Sequence, residues 1–175
     1  MTSFTESKSS AQNPSVRHHA FIVARSGLEY AAARVLFEEY AAQIGAAMGV
    51  DLGFQGFAAE LERLPEMYGP PTGCLLLASA DDQWAGCGAL RRFSDGVCEM
   101  KRLYIRPSAR RGRVGRLLAG TLVSKARELG YRRMVLDTLE QMTAARSLYR
   151  SLGFRDIDAY YFNPMKGVSF MELDL

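Results

Sequence analysis

A short, strongly basic segment carries the clearest chemical signal in this 175-residue chain. Positions 101–116 hold seven basic residues and no acidic one, although the formal net charge of the whole chain is only +3. Gly112 and Gly115 lie in the same segment, and an apolar pattern with helical spacing begins at Val114. The segment therefore predicts a basic, glycine-containing loop that leads into a helix. Its basic residues are Lys101, Arg102, Arg106, Arg110, Arg111, Arg113 and Arg116.

A helix start of this kind is chemically suited to bind an anion such as phosphate. The first backbone N–H groups of a helix lack intrahelical acceptors, and the helix dipole adds partial positive charge there. Glycine lets an anion approach the backbone closely, and arginine offers forked donors. An ordinary solvated basic turn would look similar, and neither the P-loop nor the Gly-x-Gly-x-x-Gly pattern is present. The segment alone leaves both interpretations open.

A second segment, AARSLYRSLGF at 144–154, adds a tyrosine at a defined position. The apolar centre of Arg132–Thr138 predicts a strand, and the pattern over Met142–Leu152 predicts a short helix that ends at Gly153. Tyr149 then lies near the end of that helix, before a new strand begins at Phe154.

Together the two segments resemble motifs of the Gcn5-related N-acetyltransferase (GNAT) superfamily, whose members transfer acetyl from acetyl-CoA to a primary amine. The family phrase Leu-Tyr-Val/Ile-x-Pro matches residues 103–107, and the following Arg/Gln-x-x-Gly-x-Gly/Ala phrase corresponds to residues 110–115. The phrase Ala-x-x-Leu-Tyr-x-x-x-Gly-Phe matches residues 145–154. The resemblance extends from about residue 19 to residue 175, although the first half matches only in its pattern of elements.

The resemblance implies that acetyl-CoA is the co-substrate and that amides of the basic loop bind its pyrophosphate. Two positions depart from the family pattern. Arg113 stands where the first motif glycine is expected, which implies either an altered backbone approach to the pyrophosphate or a loop shifted by one residue. Met142 replaces a frequent asparagine that contacts the cofactor in the family. The implied cofactor-binding residues are Leu103, Tyr104, Ile105, Arg110, Arg111, Gly112, Arg113, Val114, Gly115, Arg116 and Ala145.

Acetyl transfer to an amine needs a group that accepts a proton, because an alkyl ammonium with a pKa near 10.4 attacks only in its neutral form. Glu99 is the first candidate, since it precedes the loop on a predicted strand near the expected thioester position. An equal alternative is a strand glutamate paired with Lys101 or Arg91. The weaker candidates for the proton acceptor are Glu38, Glu39 and Glu140.

The departing CoA thiolate needs a hydrogen-bond donor, and the resemblance assigns this general-acid role to Tyr149. A phenol with a pKa near 10 suits the task. The alternative is a half-buried tyrosine that packs its helix onto the sheet. Backbone amides around Met100–Leu103 are the expected donors to the oxyanion.

The cysteines favour direct attack over a covalent acyl-enzyme. Cys74, Cys87 and Cys98 lie in apolar runs, where free cysteine behaves as a small buried hydrophobe. Cys98 remains the alternative nucleophile because it adjoins Glu99. The pair His18–His19 cannot complete a coordination sphere alone, so we predict no metal.

Composition predicts one soluble domain in a reducing, cytoplasmic location. Apolar residues make up 48% of the chain, and no run approaches the length of a membrane span. The first 15 residues lack the pattern of a secretory signal. We expect a flexible tail over 1–18 and an acetyltransferase domain over 19–175. Its fold class is α/β (α+β), with a mixed central sheet of six to seven strands flanked by about four helices. The pattern predicts, among others, helices over Gly27–Met48 and Gly56–Leu64 and strands over Phe154–Tyr160 and Val168–Asp174.

The expected acceptor is a primary amine of a small molecule or a peptide. By resemblance, its pocket comes from residues 40–57 and from the aromatic loop 160–164. Two other functions remain open: a regulatory domain that binds acetyl-CoA without turnover, and a nucleic-acid-binding module that uses the clustered arginines. The sequence leaves open whether the chain forms a homodimer.

Overall fold

A seven-stranded mixed β-sheet forms the centre of the protein. The computed structural model describes residues 19–49, 51–110 and 113–175. The predicted tail over 1–18 and the loop residues Arg111 and Gly112 lie outside the described residues. The strands are β1 (His19–Val23), β2 (Cys74–Ala80), β3 (Gln83–Ser94), β4 (Val97–Ile105), β5 (Arg133–Leu139), β6 (Arg155–Ile157) and β7 (Val168–Asp174). Their order across the sheet is β1-β2-β3-β4-β5-β7-β6, with β4 and β5 parallel.

Five α-helices flank the sheet in the part of the chain that the structure describes. The predicted fold class is confirmed, but the number of helices is one higher than expected because the helix predicted over Gly56–Leu64 is followed by a further one. Pro65 lies in the first turn of that further helix, where its missing N–H costs no helical hydrogen bond. The helices are α1 (Gly27–Met48), α2 (Phe57–Glu62), α3 (Leu64–Tyr68), α4 (Val114–Glu128) and α5 (Thr143–Ser151). None of these helices is both long enough and apolar enough to span a membrane.

The sheet is buried on both faces, and β2 shows why. Side chains alternate between the faces of a strand, and nearly every residue of the run CLLLASA is buried. Cys74 and Leu76 belong to the core that contains α4 and α5, whereas Leu75 and Leu77 belong to the core against α1 and α3. An almost continuous apolar run is therefore the pattern of a strand covered by helices on both sides.

The sheet opens between its two central strands, and this opening positions the candidate site. The paired residues of β4 and β5 run only from Val97 with Arg133 to Glu99 with Val135. Beyond Glu99 the two strands separate, so β4 presents Met100–Leu103 to the gap.

A β-bulge on β4 shapes the wall of this gap. Cys87 pairs with Tyr104 while Ala89 pairs with Lys101, so Gly88 faces two residues of β4 instead of one. Arg102 at the bulge has a φ of 56°, in the left-handed region. A Cβ atom on Gly88 would lie 2.8 Å from Leu122 Cδ1, so α4 packs closely over the strand there and a larger residue would displace the Leu122 side chain.

The strand predicted over Phe154–Tyr160 is shorter than expected. The prediction of a strand over Phe154–Tyr160 is wrong beyond Ile157, because β6 covers only Arg155–Ile157. Tyr160 instead packs edge-on against Phe170 of β7, with ring centroids 5.2 Å apart. The loop after β6 therefore folds over the sheet and supplies side chains to the site.

Candidate active site

An open cleft of about 420 Å³ lies between the end of β4, the start of α4 and α5. Apolar side chains such as Leu103, Ile105 and Leu148 line much of it, and Gly115 contributes backbone to its wall. The structure thus brings together most of the described residues that were predicted to bind a cofactor. Those that line the cleft are Leu103, Tyr104, Ile105, Arg110, Gly115 and Ala145.

The start of α4 offers backbone donors to this cleft. The side chain of the N-cap residue Arg113 makes no capping hydrogen bond, and Leu117 N donates to Arg113 O at 3.0 Å. The amides of Val114 and Gly115 precede that bond and have no intrahelical acceptor. Arg113 itself has a φ of 66°, a left-handed conformation that costs a non-glycine residue about 1–2 kcal/mol. The backbone shape expected of the family's motif glycine is therefore adopted by an arginine.

Arg110 and Arg116, two arginines of the basic segment next to the start of α4, both bind the protein itself. Arg110 donates to Ile105 O at 3.0 Å and to Gln43 Oε1 at 2.7 Å, which ties the loop to α1. Arg116 bonds the side chain and the carbonyl of Ser151 at the end of α5. Both guanidinium groups thus hold the cleft walls together, and the backbone amides of α4 remain as anion donors.

A small central cavity of about 50 Å³ lies at the opening of the sheet. Tyr149 lines it together with Met100–Leu103, Tyr40 and Asp137. Burial raises the pKa of Tyr149, and the nearby Tyr40 hydroxyl and Asp137 carboxylate raise it further. The Tyr149 ring also packs against Phe154, with centroids 5.7 Å apart. Tyr149 therefore makes the packing contact of a half-buried tyrosine and also lines the wall of the central cavity.

Glu99 does not line the central cavity with Tyr149; it lies in a separate, third cavity. Its side chain is 2% exposed and accepts from Arg91 Nε at 2.9 Å and from the Tyr160 hydroxyl at 2.9 Å. Lys101 Nζ lies 3.6 Å from the other side of the carboxylate, at Oε1. The ion pairs considered for this glutamate, with Arg91 and with Lys101, are therefore both present.

The pocket around Glu99 has a volume of about 320 Å³ and forms the third cavity of a row. It shares Gln55, Lys101 and Arg102 with the central cavity. The central cavity in turn shares Leu103 and Met142, among others, with the open cleft. A molecule in the cleft and a molecule in the Glu99 pocket would meet at the central cavity.

Asp137 on β5 is a functional candidate that the sequence analysis missed. Lys101 Nζ lies 3.1 Å from Asp137 Oδ1, and the Tyr161 hydroxyl donates to Oδ2 at 2.9 Å. Asn163 donates to the Tyr161 hydroxyl at 2.9 Å and completes the cluster. The available signal was a carboxylate inside the apolar strand segment MVLDTL.

A buried ion pair between Arg102 and Glu60 forms part of the lining of the Glu99 pocket. Arg102 Nε and Nη2 donate to the two Glu60 oxygens at 2.9 and 2.5 Å, and the Tyr68 hydroxyl donates at 2.7 Å. Burial alone would raise the pKa of Glu60, but the hydrogen bonds and charge of Arg102 hold it below its usual value. The Phe57 ring covers the guanidinium, with its centroid 5.1 Å from Arg102 Cζ.

The weaker proton acceptors lie elsewhere. Glu38 pairs with Arg34 on the surface of α1, Glu39 pairs with Arg106 at 2.6 Å, and Glu140 is exposed after β5.

The three cysteines are buried, which disfavours the alternative nucleophile. Burial raises the pKa of Cys98 to about 12, so its thiol is protonated at neutral pH. Within the described ranges, no group of three or more histidine, cysteine or acidic side chains is arranged to hold a metal ion.

Comparisons with known proteins agree with this geometry. The sequence model described as "Acetyltransferase (GNAT) family" matches residues 36–154. An uncharacterised N-acetyltransferase of Schizosaccharomyces pombe is 40% identical over 144 residues, covering 81% of this chain and 86% of the relative. An acetyltransferase structure from Streptococcus agalactiae aligns with a TM-score of 0.74 at 22% identity, over 90% of this chain and 98% of that one. A Bacillus subtilis acetyltransferase solved in complex with CoA aligns with a TM-score of 0.62 at 19% identity, over 90% and 99%. The chain therefore belongs to the GNAT family and is an N-acetyltransferase.

Proposed function

We propose that this protein transfers acetyl from acetyl-CoA directly to the primary amine of a small molecule or peptide. The observation that carries the proposal is the row of three cavities, with Tyr149 on the wall of the middle one. Two substrates that enter from opposite ends meet there without a covalent enzyme intermediate. Both substrates must therefore be bound together, and kinetics should report a ternary complex.

The cleft has the features that acetyl-CoA requires. The amides of Val114 and Gly115 suit a pyrophosphate, and the apolar walls suit the pantetheine arm. A Cβ atom on Gly115 would lie at an ordinary 3.6 Å from Ile105 Cγ1, so the fold does not itself require glycine at this position. When bound, acetyl-CoA supplies the acetyl group as an activated thioester. The CoA in the Bacillus subtilis relative supports this assignment.

Glu99 is the proposed proton acceptor. As the amine nitrogen bonds to the acetyl carbon, it loses a proton to the Glu99 carboxylate, directly or through water. Arg91 and Tyr160 hold that carboxylate in place. Lys101 contacts both Glu99 and Asp137, which supports a polar path between the Glu99 pocket and the central cavity.

Tyr149 is the proposed donor to the departing sulfur. Its raised pKa keeps the phenol protonated through the neutral range, so a hydrogen is available as the carbon–sulfur bond breaks. Backbone amides around Met100–Leu103 are the proposed donors to the oxyanion, because β4 leaves its ladder with β5 just before them.

A thiol-release assay with acetyl-CoA and a panel of primary amines tests the proposal, with mass spectrometry of the acetylated product. We expect release that depends on the amine, and thermal stabilisation by acetyl-CoA alone. Stabilisation without transfer to any amine would instead support the regulatory alternative. Salt-sensitive DNA binding without stabilisation by acetyl-CoA would support the nucleic-acid alternative, which the internal bonds of Arg110 and Arg116 disfavour.

A further inference from the structure

The charges around the Glu99 pocket and the central cavity balance and are already paired. Three carboxylates and three cations lie there, and each carboxylate has its own cation within 3.1 Å. A polyamine or another polycation needs unpaired carboxylates for its additional ammonium groups, and the described residues that line this site offer none. The pairs are Glu60 with Arg102, Glu99 with Arg91, and Asp137 with Lys101.

Arg91 differs from the other two cations because it is partly open to the pocket. Its side chain is 33% exposed, whereas those of Lys101 and Arg102 are 7% and 3% exposed. Its Nε and Nη2 both bond a single oxygen, Glu99 Oε2, at 2.9 and 2.8 Å. A guanidinium carries five N–H donors, and among residues 19–49, 51–110 and 113–175 the Nη1 group of Arg91 has no acceptor. Arg91 can therefore bind a second carboxylate supplied by a ligand.

The mouth of the same pocket is aromatic. Phe162 is 87% exposed and Phe93 is 42% exposed, and both line the pocket. The Tyr160 ring packs edge-on against the Phe93 ring, with centroids 5.0 Å apart. Exposed aromatic rings at the rim of a polar pocket indicate contact with an apolar group of the ligand.

We infer that the acceptor is a small amine that carries its own carboxylate and an apolar side chain, as an α-amino acid does. The ligand carboxylate binds the free edge of Arg91, its amine lies toward Glu99 and the central cavity, and its apolar side chain contacts Phe93 and Phe162. This inference rests on the proposed function and narrows its acceptor class.

Matched acceptors test the inference. Phenylalanine and phenethylamine differ only in the carboxylate, as do leucine and isopentylamine, and spermidine represents the polycations. We expect kcat/KM for each amino acid to exceed that of its decarboxylated partner by about tenfold to a hundredfold, the range of a charge-assisted hydrogen bond. Equal or higher values for the decarboxylated amines, or a preference for spermidine, would overturn the inference.

The variant Arg91→Gln distinguishes two roles of Arg91, which are binding of the ligand carboxylate and positioning of Glu99. It should raise KM for phenylalanine at least about tenfold while KM for phenethylamine stays constant, because only the first loses an ion pair. Any fall in kcat common to both amines reports disturbance of Glu99. Arg92→Gln is the matched control, since the neighbouring Arg92 is 57% exposed and pairs with Asp95 instead. A parallel rise in KM for both amines would contradict the role of Arg91.

Calorimetry of phenylalanine binding to the CoA-saturated protein keeps this inference distinct from the proposed function. If no amine is acetylated but phenylalanine binds and Arg91→Gln abolishes binding, the proposed activity fails and the ligand class stands. If amines are acetylated but wild-type protein binds phenylalanine no better than phenethylamine, the activity stands and the ligand class fails.

Discussion

The cleft at the start of α4 and the pocket around Glu99 are built in opposite ways. The cleft consists of backbone amides, a glycine and apolar walls, and Arg110 and Arg116 beside it bond other parts of the protein. The pocket consists of charged side chains whose partners come from α2, β3, β4 and β5. A cofactor common to a whole family can be held by backbone, whereas the proposed acceptor pocket depends on individual side chains.

This difference determines what a substitution should do on each side. In the pocket, removal of one charge leaves a buried partner unpaired, so the first effect is on stability. In the cleft, the fold tolerates small changes, and the first effect is on ligand binding. Four substitutions test this contrast.

Glu60→Ala should have the largest effect, a loss of about 3–5 kcal/mol in the free energy of unfolding, because Arg102 stays buried without its partner. Urea denaturation measures it. Glu62→Ala is the matched control on the same helix, since Glu62 is 68% exposed and pairs with the surface residue Arg34. We expect the control to change stability by less than about 1 kcal/mol. Similar losses in the two variants would show that the buried pair contributes no more than a surface pair.

The stabilisation by Glu60 should also depend on pH. Because Arg102 lowers the folded-state pKa of Glu60 against the effect of burial, the stabilisation is fully present above the unfolded pKa of about 4.3. It is lost as the pH falls through the lower, folded-state pKa. The stability difference between wild type and Glu60→Ala should therefore shrink on acidification below pH of about 4.

Gly115→Glu should weaken acetyl-CoA binding by more than about 100-fold with little change in melting temperature. The new carboxylate would occupy the cleft and repel phosphate at the start of α4. Calorimetry with acetyl-CoA measures the affinity. Gly115→Ala is the control, because its Cβ would lie at an ordinary 3.6 Å from Ile105 Cγ1. Unchanged affinity in the glutamate variant would mean that phosphate binds elsewhere.

Tyr149→Phe should lower kcat by about 100-fold while the dissociation constant for acetyl-CoA stays unchanged. The ring and its packing against Phe154 are retained, and only the hydroxyl is lost. Tyr131→Phe is the control, since the Tyr131 hydroxyl donates to Thr72 O away from the site. The raised pKa of Tyr149 also predicts that wild-type kcat shows no loss from phenol ionisation below pH of about 10. Equal turnover by wild type and Tyr149→Phe would remove this residue from the acid role.

The sequence predicted the elements whose pattern is local. The helix predicted over Gly27–Met48 and the strand over Val168–Asp174 have the same bounds in the structure. The position of the cleft could also be predicted, because a helix start, a glycine and an apolar helix face follow one another along the chain. Its binding residues remain predictions.

The charged pocket could be predicted only in part: the pairs of Glu99 with Arg91 and Lys101 were considered, but the remaining contacts join distant parts of the chain. Arg102 looked like part of a basic patch, yet it is buried against Glu60, which is 42 positions away. The bulge that turns Arg102 inward gives a non-glycine residue a positive φ, and residue type alone does not indicate such a position. Asp137 was missed for a similar reason, since Lys101 and Tyr161 are its neighbours only after the sheet forms.

Arg113→Gly should have the smallest effect. It tests whether backbone amides, and not the Arg113 side chain, hold the cofactor in the cleft. Arginine at a φ of 66° is strained by about 1–2 kcal/mol, and glycine relieves that strain but adds backbone entropy to the unfolded chain. The free energy of unfolding should therefore change by no more than about 1 kcal/mol. Arg113→Ala removes the same side chain but retains the strain, so it is the natural partner for comparison. If backbone holds the cofactor, both variants should bind acetyl-CoA within a few-fold of wild type, and the glycine variant should bind at least as well as the alanine variant. An equal and large loss of affinity in both would show instead that the Arg113 side chain carries the interaction, and the contrast between the cleft and the Glu99 pocket would not hold.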